Sequence, residues 1–265
     1  MTFILPSFGA SAIAAVPSSG SLTNDFSVEF EGSDEYMDTG SSFASTFGSD
    51  FTISCWFKRD NGSGTGAMFG QWHDSPGNFR HYAYVSGGSL YYDMRIAGTP
   101  VGAPITSIAQ DTNWHHFAVT VKQDSSNVLS SIYLDGVSGG TNTTAATLSN
   151  FVPANNLFVG KRNRPTKAEL HFVGLIDEVS IIGSALSDGG VSSGQTAGGD
   201  IAALYNGGVP ADILAFNPVA WYRMGDSDTG TGTTITNAAS GTASAGSSVN
   251  GSLENGPAFS STVPS

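Results

Sequence analysis

Apolar residues recur at every second position in several short stretches of this chain, a pattern typical of β-strands that bury one face. The clearest stretches are residues 51–58, 114–121 and 132–134, and a longer apolar run covers residues 171–187. Clusters of Gly, Ser, Asn and Asp separate them, as is typical of turns. The pattern predicts an all-β protein with one short helix within residues 200–208, where Asp stands at the start and Gly past the end.

The long apolar run contains one acidic pair, Asp177 and Glu178. Strict alternation divides its apolar residues between two faces, with Val173, Leu175, Val179 and Ile181 on one and Phe172, Ile176 and Ile182 on the other. Both faces are expected to be covered, and a carboxylate that points inward must be hydrogen-bonded, because an unpaired buried charge is very costly. The run favours a structural pair that ties this strand to a neighbouring loop; a catalytic or calcium-binding pair is the alternative.

Four sequence segments resemble one known family. They are G-L-I-D-E-V-S-I-I at 174–182, F-T-I-S-C-W-F-K at 51–58, W-H-H-F-A-V-T-V at 114–121 and I-Y-L-D-G at 132–136. These are similar to strands of laminin-G-like domains of the concanavalin A-like lectin/glucanase family, of the kind found in tailed-phage structural proteins. The resemblance implies an antiparallel two-sheet jelly-roll sandwich.

The same resemblance suggests how the chain is divided. Residues 26–208 correspond to the sandwich, residues 1–25 to an N-terminal arm that contacts an assembly, and residues 209–265 to a C-terminal segment. The segment V-A-W-Y-R-M-G-D at 219–226 resembles one that many relatives carry before their first strand. We therefore expect a circularly permuted chain in which residues 219–224 return to the sheet near Val28, followed by a polar tail. A truncated second unit that adds its strand to a neighbouring copy is the alternative.

Composition narrows the class of partner. Ten Lys and Arg residues against 22 Asp and Glu residues give a net charge of −12, which repels nucleic acid. No stretch approaches the roughly 20 apolar residues that span a bilayer, so no membrane insertion is expected. No Lys or Arg precedes the apolar start of the chain, which makes a secretory signal doubtful. The single cysteine, Cys55, excludes an intramolecular disulfide and is expected in the core.

Basic residues cluster at one place in this acidic chain. They are Lys161, Arg162, Arg164 and Lys167. A charged loop tip is the favoured interpretation, and an anion-binding or partner-docking patch is the alternative. Calcium-binding relatives such as the pentraxins have an acidic loop here, so the basic loop counts against such a site. We expect no cofactor and no metal, although a single calcium ion near Asp74 or Asp93 is left open.

Aromatic residues are dense in and around a predicted hairpin whose strands, 79–85 and 90–96, join at Gly87 and Gly88. Sugars present C–H faces to aromatic rings and hydroxyls to polar groups, so this density is typical of a glycan-binding surface. The alternative is that aromatic residues are simply good strand formers. The candidate carbohydrate-binding residues are Trp56, Trp72, His81, Tyr82, Tyr84 and Tyr92.

The resemblance implies a non-enzymatic virion structural protein on the virion surface, such as a capsid decoration, fibre or tail component. Its partners would be other virion subunits or copies of itself, and it would stabilise the particle, contact host-surface glycans, or both. The alternative is a secreted, extracellular bacterial carbohydrate-binding module. A glycoside hydrolase is less favoured, because Phe30 stands between Glu29 and Glu31 where related glucanases carry a third acid.

Overall fold

Two antiparallel β-sheets pack face to face in the computed structural model, which describes residues 22–73, 78–102, 105–162, 164 and 169–265. This is the all-β sandwich that the sequence predicts. The strands are β1 (Ser27–Phe30), β2 (Tyr36–Asp38), β3 (Phe51–Arg59), β4 (Thr65–His73), β5 (Phe79–Ser86), β6 (Ser89–Ile96), β7 (Thr99–Gly102), β8 (Ile105–Ser107), β9 (Trp114–Asp124), β10 (Asn127–Leu134), β11 (Val137–Ala145), β12 (Phe158–Val159), β13 (Lys161–Arg162), β14 (Leu170–His171), β15 (Gly174–Ile182), β16 (Ala220–Tyr222), β17 (Thr234–Ile235), β18 (Gly251–Glu254) and β19 (Ala258–Ser260). The helices are α1 (Ala44–Phe47) and α2 (Gly199–Tyr205), with 3-10 turns at Leu148–Asn150, Asn206–Gly208, Leu214–Phe216 and Gly246–Val249.

The strand order separates two sheets and one small ribbon. Sheet 1 has the order β11-β10-β9-β3-β15-β1-β19, and β16 also pairs with β15. Sheet 2 has the order β17-β18-β2-β12-β4-β5-β6-β7, and β8 also pairs with β6. Strands β13 and β14 pair with each other beside sheet 2. The predicted hairpin is confirmed, since β5 and β6 pair in register with Gly87 and Gly88 at the turn.

Alternation along the strands builds the core between the sheets. Strand β3 turns Phe51, Ile53, Cys55 and Phe57 into it, and all four are buried. The predicted inward face of β3 is therefore confirmed, and Cys55 is a core thiol whose pKa burial raises.

Strand β15 departs from the predicted alternation. Asp177 pairs with Trp56 and Ser180 pairs with Ser54, so β15 has one residue more than β3 across this interval. Glu178 takes up the extra length with a φ of 48°, in the left-handed region. This β-bulge reverses the alternation, and Ile176 and Val179 both enter the core although they are three positions apart. The predicted faces of Val179, Ile181 and Ile182 are wrong for that reason, since Ile182 lies in the apolar cluster on the outer side of the sheet.

The C-terminal segment is built into both sheets. Strand β16 pairs with Val179–Ile181 of β15, and β1 pairs with Gly174–Ile176 of the same strand, so the two run in one direction along it. Asp226 Oδ1 accepts hydrogen bonds from the backbone N–H groups of Asp25 and Phe26, both at 2.9 Å, at the start of β1. Where a polar tail was predicted, β17 and β18 join sheet 2 and β19 joins sheet 1. The circular permutation itself stays a hypothesis, and the arm lies outside the described residues except for its last four positions.

Helix α2 confirms the predicted short helix and lies on the outer face of sheet 1. Asp200 is in its first turn, and Asn206 ends it in the left-handed conformation. A second apolar cluster forms beneath it, including Ala118, Ile201 and Leu204. No helix in the described part of the chain is long and apolar enough to cross a membrane.

Candidate functional site

The outer face of strands β4, β5 and β6 carries aromatic and arginine side chains. Because side chains alternate along β5, His81, Ala83 and Val85 enter the core while the residues between them point outward. We call this region the aromatic–arginine surface. It consists of Trp72, Arg80, Tyr82, Tyr84, Tyr91, Asp93 and Arg95, together with Arg162 and Arg164 from the neighbouring loop.

Four aromatic rings form a ladder across this surface. The Trp72 and Tyr82 ring centroids are 5.7 Å apart, and Tyr82 and Tyr84 stack at 5.2 Å with an interplanar angle of 26°. Tyr84 and Tyr91 face each other across the hairpin at 4.5 Å and 7°. Trp72 and Tyr82 are buried, whereas Tyr84 and Tyr91 are half-buried. The ladder therefore offers only its Tyr84–Tyr91 end to solvent. Trp72 and Tyr82, which were predicted to bind sugar, are 2% and 6% exposed and support the ladder from below without presenting an open ring face.

Arginines surround the Trp72 end of the ladder. The Cζ atoms of Arg80 and Arg164 lie 4.0 and 4.3 Å from the Trp72 ring centroid. Arg162 Cζ lies 5.3 Å from that centroid and 5.1 Å from the Tyr82 ring. A side chain at Gly70 would bring its Cβ within 2.9 Å of Arg162 Cα, so the glycine lets the loop approach the sheet. These distances are those of cation–π contacts.

Asp93 is the acidic centre of the surface. Its carboxylate accepts hydrogen bonds from Arg80 Nε at 3.2 Å and Nη2 at 2.8 Å, and from the Tyr82 hydroxyl at 3.2 Å. Arg95 Nε lies 3.8 Å away. Burial, followed by the neighbouring phenols and Asp93, raises the pKa of Tyr84 to about 12. Tyr84 therefore keeps its proton at neutral pH and can donate a hydrogen bond.

Basic side chains outnumber acidic ones among the described residues of this surface, although the protein as a whole is acidic. Arg80, Arg95 and Arg164 lie here with one carboxylate, that of Asp93, while the whole chain carries −12. Within the described residues, no carboxylate lies within ion-pair distance of Arg164, and its buried Nε has no hydrogen-bond acceptor. The surface can thus bind a ligand that combines a ring-stacking face with negative or polar oxygen atoms.

Two of the predicted sugar-binding residues are core residues instead. His81 and Tyr92 are both 0% exposed, and the His81 imidazole lies 3.0 Å from Gln71 Oε1 and 3.3 Å from the Tyr92 hydroxyl. Burial lowers the pKa of His81 to about 3, so the ring is neutral. Their assignment to a binding surface is corrected, because each is adjacent in its strand to an outward-pointing neighbour and must point inward.

Trp56 is separated from the other candidates by the thickness of the sandwich. It lies on the outer face of sheet 1, where Tyr205 of α2 stacks over it at 6.0 Å and 23°. His116 packs against it at 5.0 Å, and burial lowers the pKa of His116 to about 4. Trp56 is only 4% exposed, so it presents no ring face to a ligand. Its assignment to the binding surface is corrected because α2 covers it.

The acidic pair of β15 is buried and fully engaged. Asn24 Nδ2 donates to Asp177 Oδ2 at 3.0 Å, and the backbone N–H of Glu178 donates to Asp177 Oδ1 at 2.7 Å. Glu178 accepts from the Trp221 indole N–H and from Arg223 Nε, the latter at 3.1 Å. Burial raises the pKa of Glu178 to about 7 and that of Asp177 well above its usual value. This geometry is that of a structural network that ties β15 to β16.

The basic cluster divides between two surroundings. Strand β13 turns Lys161 onto the Tyr36 ring, 3.4 Å from its centroid, and toward Glu169 at 3.4 Å. Its next residue, Arg162, and then Arg164 face Trp72 instead. Lys167 lies outside the described residues. The cluster is therefore not one patch, and two of its members belong to the aromatic–arginine surface.

His115 and His116 are adjacent in β9 and point in opposite directions. His115 lies between two carboxylates, with Nδ1 2.7 Å from Asp135 Oδ2 and Nε2 3.0 Å from Asp111 Oδ1. Burial disfavours its protonated form, but hydrogen bonds and charge from Asp135 and Asp111 prevail and raise the pKa. Over the described ranges, no three His, Cys, Asp or Glu side chains are grouped to hold a metal. Asp74 lies outside those ranges, and Asp93 is paired with Arg80.

Sequence reasoning missed three members of the surface. Arg80, Tyr91 and Arg95 point outward beside Tyr82 and Tyr84, whereas His81 and Tyr92 do not. Strict alternation along each strand of the predicted hairpin would have found the missed residues and rejected the two core residues.

Known proteins resemble this chain in sequence pattern and in fold. Residues 31–192 match the family model of the concanavalin A-like lectin/glucanase superfamily. A search of curated protein sequences gives no match. A Bacteroides ovatus structure, provisionally assigned as a carbohydrate-binding protein, is 17% identical with a TM-score of 0.61, over 92% of this chain and 62% of that one.

Two further structures are similar at lower scores. The CBM40 of the Ruminococcus gnavus IT-sialidase is 16% identical with a TM-score of 0.51, over 61% of this chain and 92% of that one. The NanB sialidase of Streptococcus pneumoniae is 19% identical with a TM-score of 0.50, over 65% of this chain and 28% of that one. At these identities the likeness establishes the concanavalin A-like sandwich and nothing finer.

Proposed function

We propose, for a chain that belongs to the concanavalin A-like lectin/glucanase superfamily, a non-enzymatic glycan-binding function at the aromatic–arginine surface. The observation that carries this proposal is the half-exposed Tyr84–Tyr91 stack, which lies outside the core and beside hydrogen-bonding arginines. Sugar rings pack their C–H faces on such aromatics, while their hydroxyls bind guanidinium and carboxylate groups. The names of the Bacteroides ovatus and Ruminococcus gnavus neighbours, which refer to carbohydrate binding, support it.

A purely binding function agrees with the state of the acids. Glycoside hydrolysis needs two carboxyl groups on either side of the scissile bond, roughly 5 to 9.5 Å apart, in a site that a sugar can enter. Asp177 and Glu178 are adjacent in one strand, buried, and hydrogen-bonded to Asn24, Trp221 and Arg223. No sugar can reach them while this network is closed.

We further propose that the protein acts on a virion surface as a decoration, fibre or tail component. Its partners there would be other virion subunits or copies of itself. The support is the make-up of the chain, in which a laminin-G-like sandwich with a transposed segment 219–226, no disulfide and Gly/Ser/Thr-rich arms resembles structural proteins of tailed phages. An extracellular bacterial carbohydrate-binding protein is the second candidate, favoured by the likeness to CBM40. Immunogold labelling of purified particles separates them, since the virion proposal requires particle-bound protein and is overturned by bare particles.

A glycan array with the full chain tests the binding proposal. We expect binding that Tyr84→Ala and Tyr91→Ala each weaken by about tenfold, because Tyr91 is the last ring of the ladder and Tyr84, stacked between Tyr82 and Tyr91, holds it in place. Tenfold corresponds to about 1.4 kcal/mol. Tyr84→Phe is the matched control, which keeps the ring and should keep most of the affinity. Lys122→Gln, an exposed position on sheet 1, should have no effect. An array without signal, or binding that survives loss of both tyrosines, contradicts the proposal.

A further inference from the structure

We infer that the aromatic–arginine surface selects glycans that carry carboxylates, as polyuronates do, over neutral glycans. This inference rests on the proposed function and names its ligand class. Neutral sugars need hydrogen bonds and a stacking face but no excess of cations. Among the described residues, Arg80, Arg95 and Arg164 share this surface with one carboxylate, that of Asp93, in a chain with 10 basic and 22 acidic residues.

The internal carboxylate neutralises only part of this charge. Arg80 uses Nε and Nη2 on Asp93, which makes that pair self-sufficient. Arg95 is more distant, at 3.8 Å, and Asp93 is already shared with Arg80 and Tyr82. Asp93 does not reach Arg164, which has no ion pair among the described residues. A second carboxylate, supplied by a ligand, would complete the charge balance.

Arg164 is the residue best placed to receive that carboxylate. It lies 4.3 Å from the Trp72 ring centroid and is half-buried, yet has no ion pair among the described residues. A guanidinium held against an aromatic ring still has its N–H donors in its own plane, and a carboxylate can accept two of them. Partial desolvation strengthens such a bond relative to one in water.

The net charge of the chain favours a polyuronate over a nucleic acid as the ligand. A nucleic acid would also present anions and stacking rings. Double-stranded DNA carries a charge about every 1.7 Å and would meet repulsion from the rest of a chain with net charge −12. A polyuronate carries at most one carboxylate per sugar, and each sugar offers C–H faces to the Tyr84–Tyr91 stack. The attraction between the uronate carboxylates and the arginines of the surface can then exceed the repulsion from the acidic remainder of the chain.

Matched polysaccharides test the inference with the full chain. Polygalacturonate, alginate and hyaluronan are each compared with their carboxyl-reduced forms, which keep the backbone and lose the charge. We expect at least one acid to bind about tenfold or more tightly than its reduced form at low salt, the size of one charge-assisted contact. Added salt should lessen this preference. Oligo-dT and dextran sulfate serve as competitors.

Substitutions of Arg164 test whether this residue causes the preference for the acidic form of the polysaccharide. Arg164→Gln should lower the affinity for the acid about tenfold and leave the reduced form unchanged, while Arg164→Lys should lie between. Lys122→Gln removes the same charge from sheet 1 and should change neither. Equal melting temperatures show that Arg164→Gln folds.

The outcomes separate the two proposals. If reduced forms bind as well as the acids, the carboxylate inference is overturned while glycan binding stands. If no acid binds but neutral glycans do, the inference is likewise overturned. If oligo-dT or dextran sulfate competes better than the uronate, the surface is a general polyanion site and the inference is wrong. If no glycan of any kind binds, both proposals are wrong.

Discussion

The outer faces of the two sheets carry similar residue types in opposite situations. On sheet 1, Trp56 and Trp221 are 4% and 3% exposed beneath α2 and its flanking segments. On sheet 2, Tyr84 and Tyr91 stack beside arginines and are half-exposed. Aromatic density therefore does not identify a binding surface by itself. What decides is whether another element of the chain covers the rings.

The covered face also explains the charges beneath it. Glu178 lies under the cover and is satisfied by Trp221 and Arg223, which belong to the C-terminal segment. Asp93 on the open face is satisfied by Arg80 and Tyr82 of the adjacent strand. The acid of the covered face is thus held by a distant part of the chain, whereas the acid of the open face is held by the next strand. On the open face, Arg164 has no ion pair among the described residues.

The largest expected loss of stability comes from a substitution on the covered face. Trp221→Ala should lower the free energy of unfolding by about 3 to 5 kcal/mol, since it leaves a cavity and removes a donor to buried Glu178. Urea denaturation measures it, with Trp221→Phe as the milder control. Tyr91→Ala on the open face should cost less, about 1 to 2 kcal/mol, which includes the loss of its stack on Tyr84. Equal costs on the two faces would contradict the distinction between them.

On the open face, the two stacked rings of Tyr84 and Tyr91 are expected to stabilise each other. Their rings stack at 4.5 Å, so a double-mutant cycle should give a coupling of about 0.5 to 1.5 kcal/mol in stability. Urea denaturation of Tyr84→Ala, Tyr91→Ala and the double variant measures it. Tyr82→Phe with Tyr91→Ala is the control pair, since it preserves every ring-to-ring contact except that of Tyr91. Simple additivity of Tyr84 and Tyr91 would show that the two rings do not support each other.

The pH dependence of stability tests the burial of Glu178. Its pKa is about 7 in the folded protein against 4.5 ordinarily, so between these values the folded state holds a proton that the unfolded state releases. Wild type should therefore lose about 1 to 2 kcal/mol relative to Glu178→Gln as pH rises from 4.5 to 7. Melting curves of both proteins at matched pH measure this difference, in which contributions common to both proteins cancel. A constant difference would show that Glu178 is ionised in the fold.

The smallest expected effect concerns His115. Its raised pKa means that protonation stabilises the fold, fully below pH 6.5 and progressively less as pH rises through the folded value. Relative to wild type, His115→Gln should therefore be less stable by about 1 kcal/mol near pH 5.5, with the deficit shrinking at pH 8.5. Asp135→Asn should reproduce that trend. NMR titration of the imidazole checks the direction directly, and a midpoint below 6.5 would contradict it.

Short-range pattern was enough for the strands and for much of the core. Phe51, Ile53 and Phe57 alternate without interruption, so the buried face of β3 could be deduced from spacing alone. The bulge at Glu178 could not, because no local signal distinguishes an extra residue in a run that is apolar on both sides. Strands β17 to β19 were missed for a related reason, since two to four residues are too few to show a period.

The candidate site was recovered only in part, again for physical reasons. Tyr82, Tyr84 and Trp72 were identified by residue type, and Arg162 and Arg164 were identified as a separate basic cluster. The two groups meet because the segment that carries Arg162 and Arg164 crosses β4 at Gly70. This is a contact between positions that are distant in the sequence. The covering of Trp56 by Tyr205 is also long-range, since the two residues are 149 positions apart in the sequence. Such contacts are fixed by topology and not by local pattern.

The pairing of β19 with β1 has a consequence for how the protein is made. Ser27 Oγ donates to the carbonyl of Thr262 across 235 positions, and β19 supplies the ladder that β1 needs on its outer side. At a synthesis rate of about 5 to 20 residues per second, the edge of β1 waits roughly 10 to 50 seconds for its partner. During that interval β1 lacks its partner on that side, and an unpaired strand edge is a template for pairing with another chain.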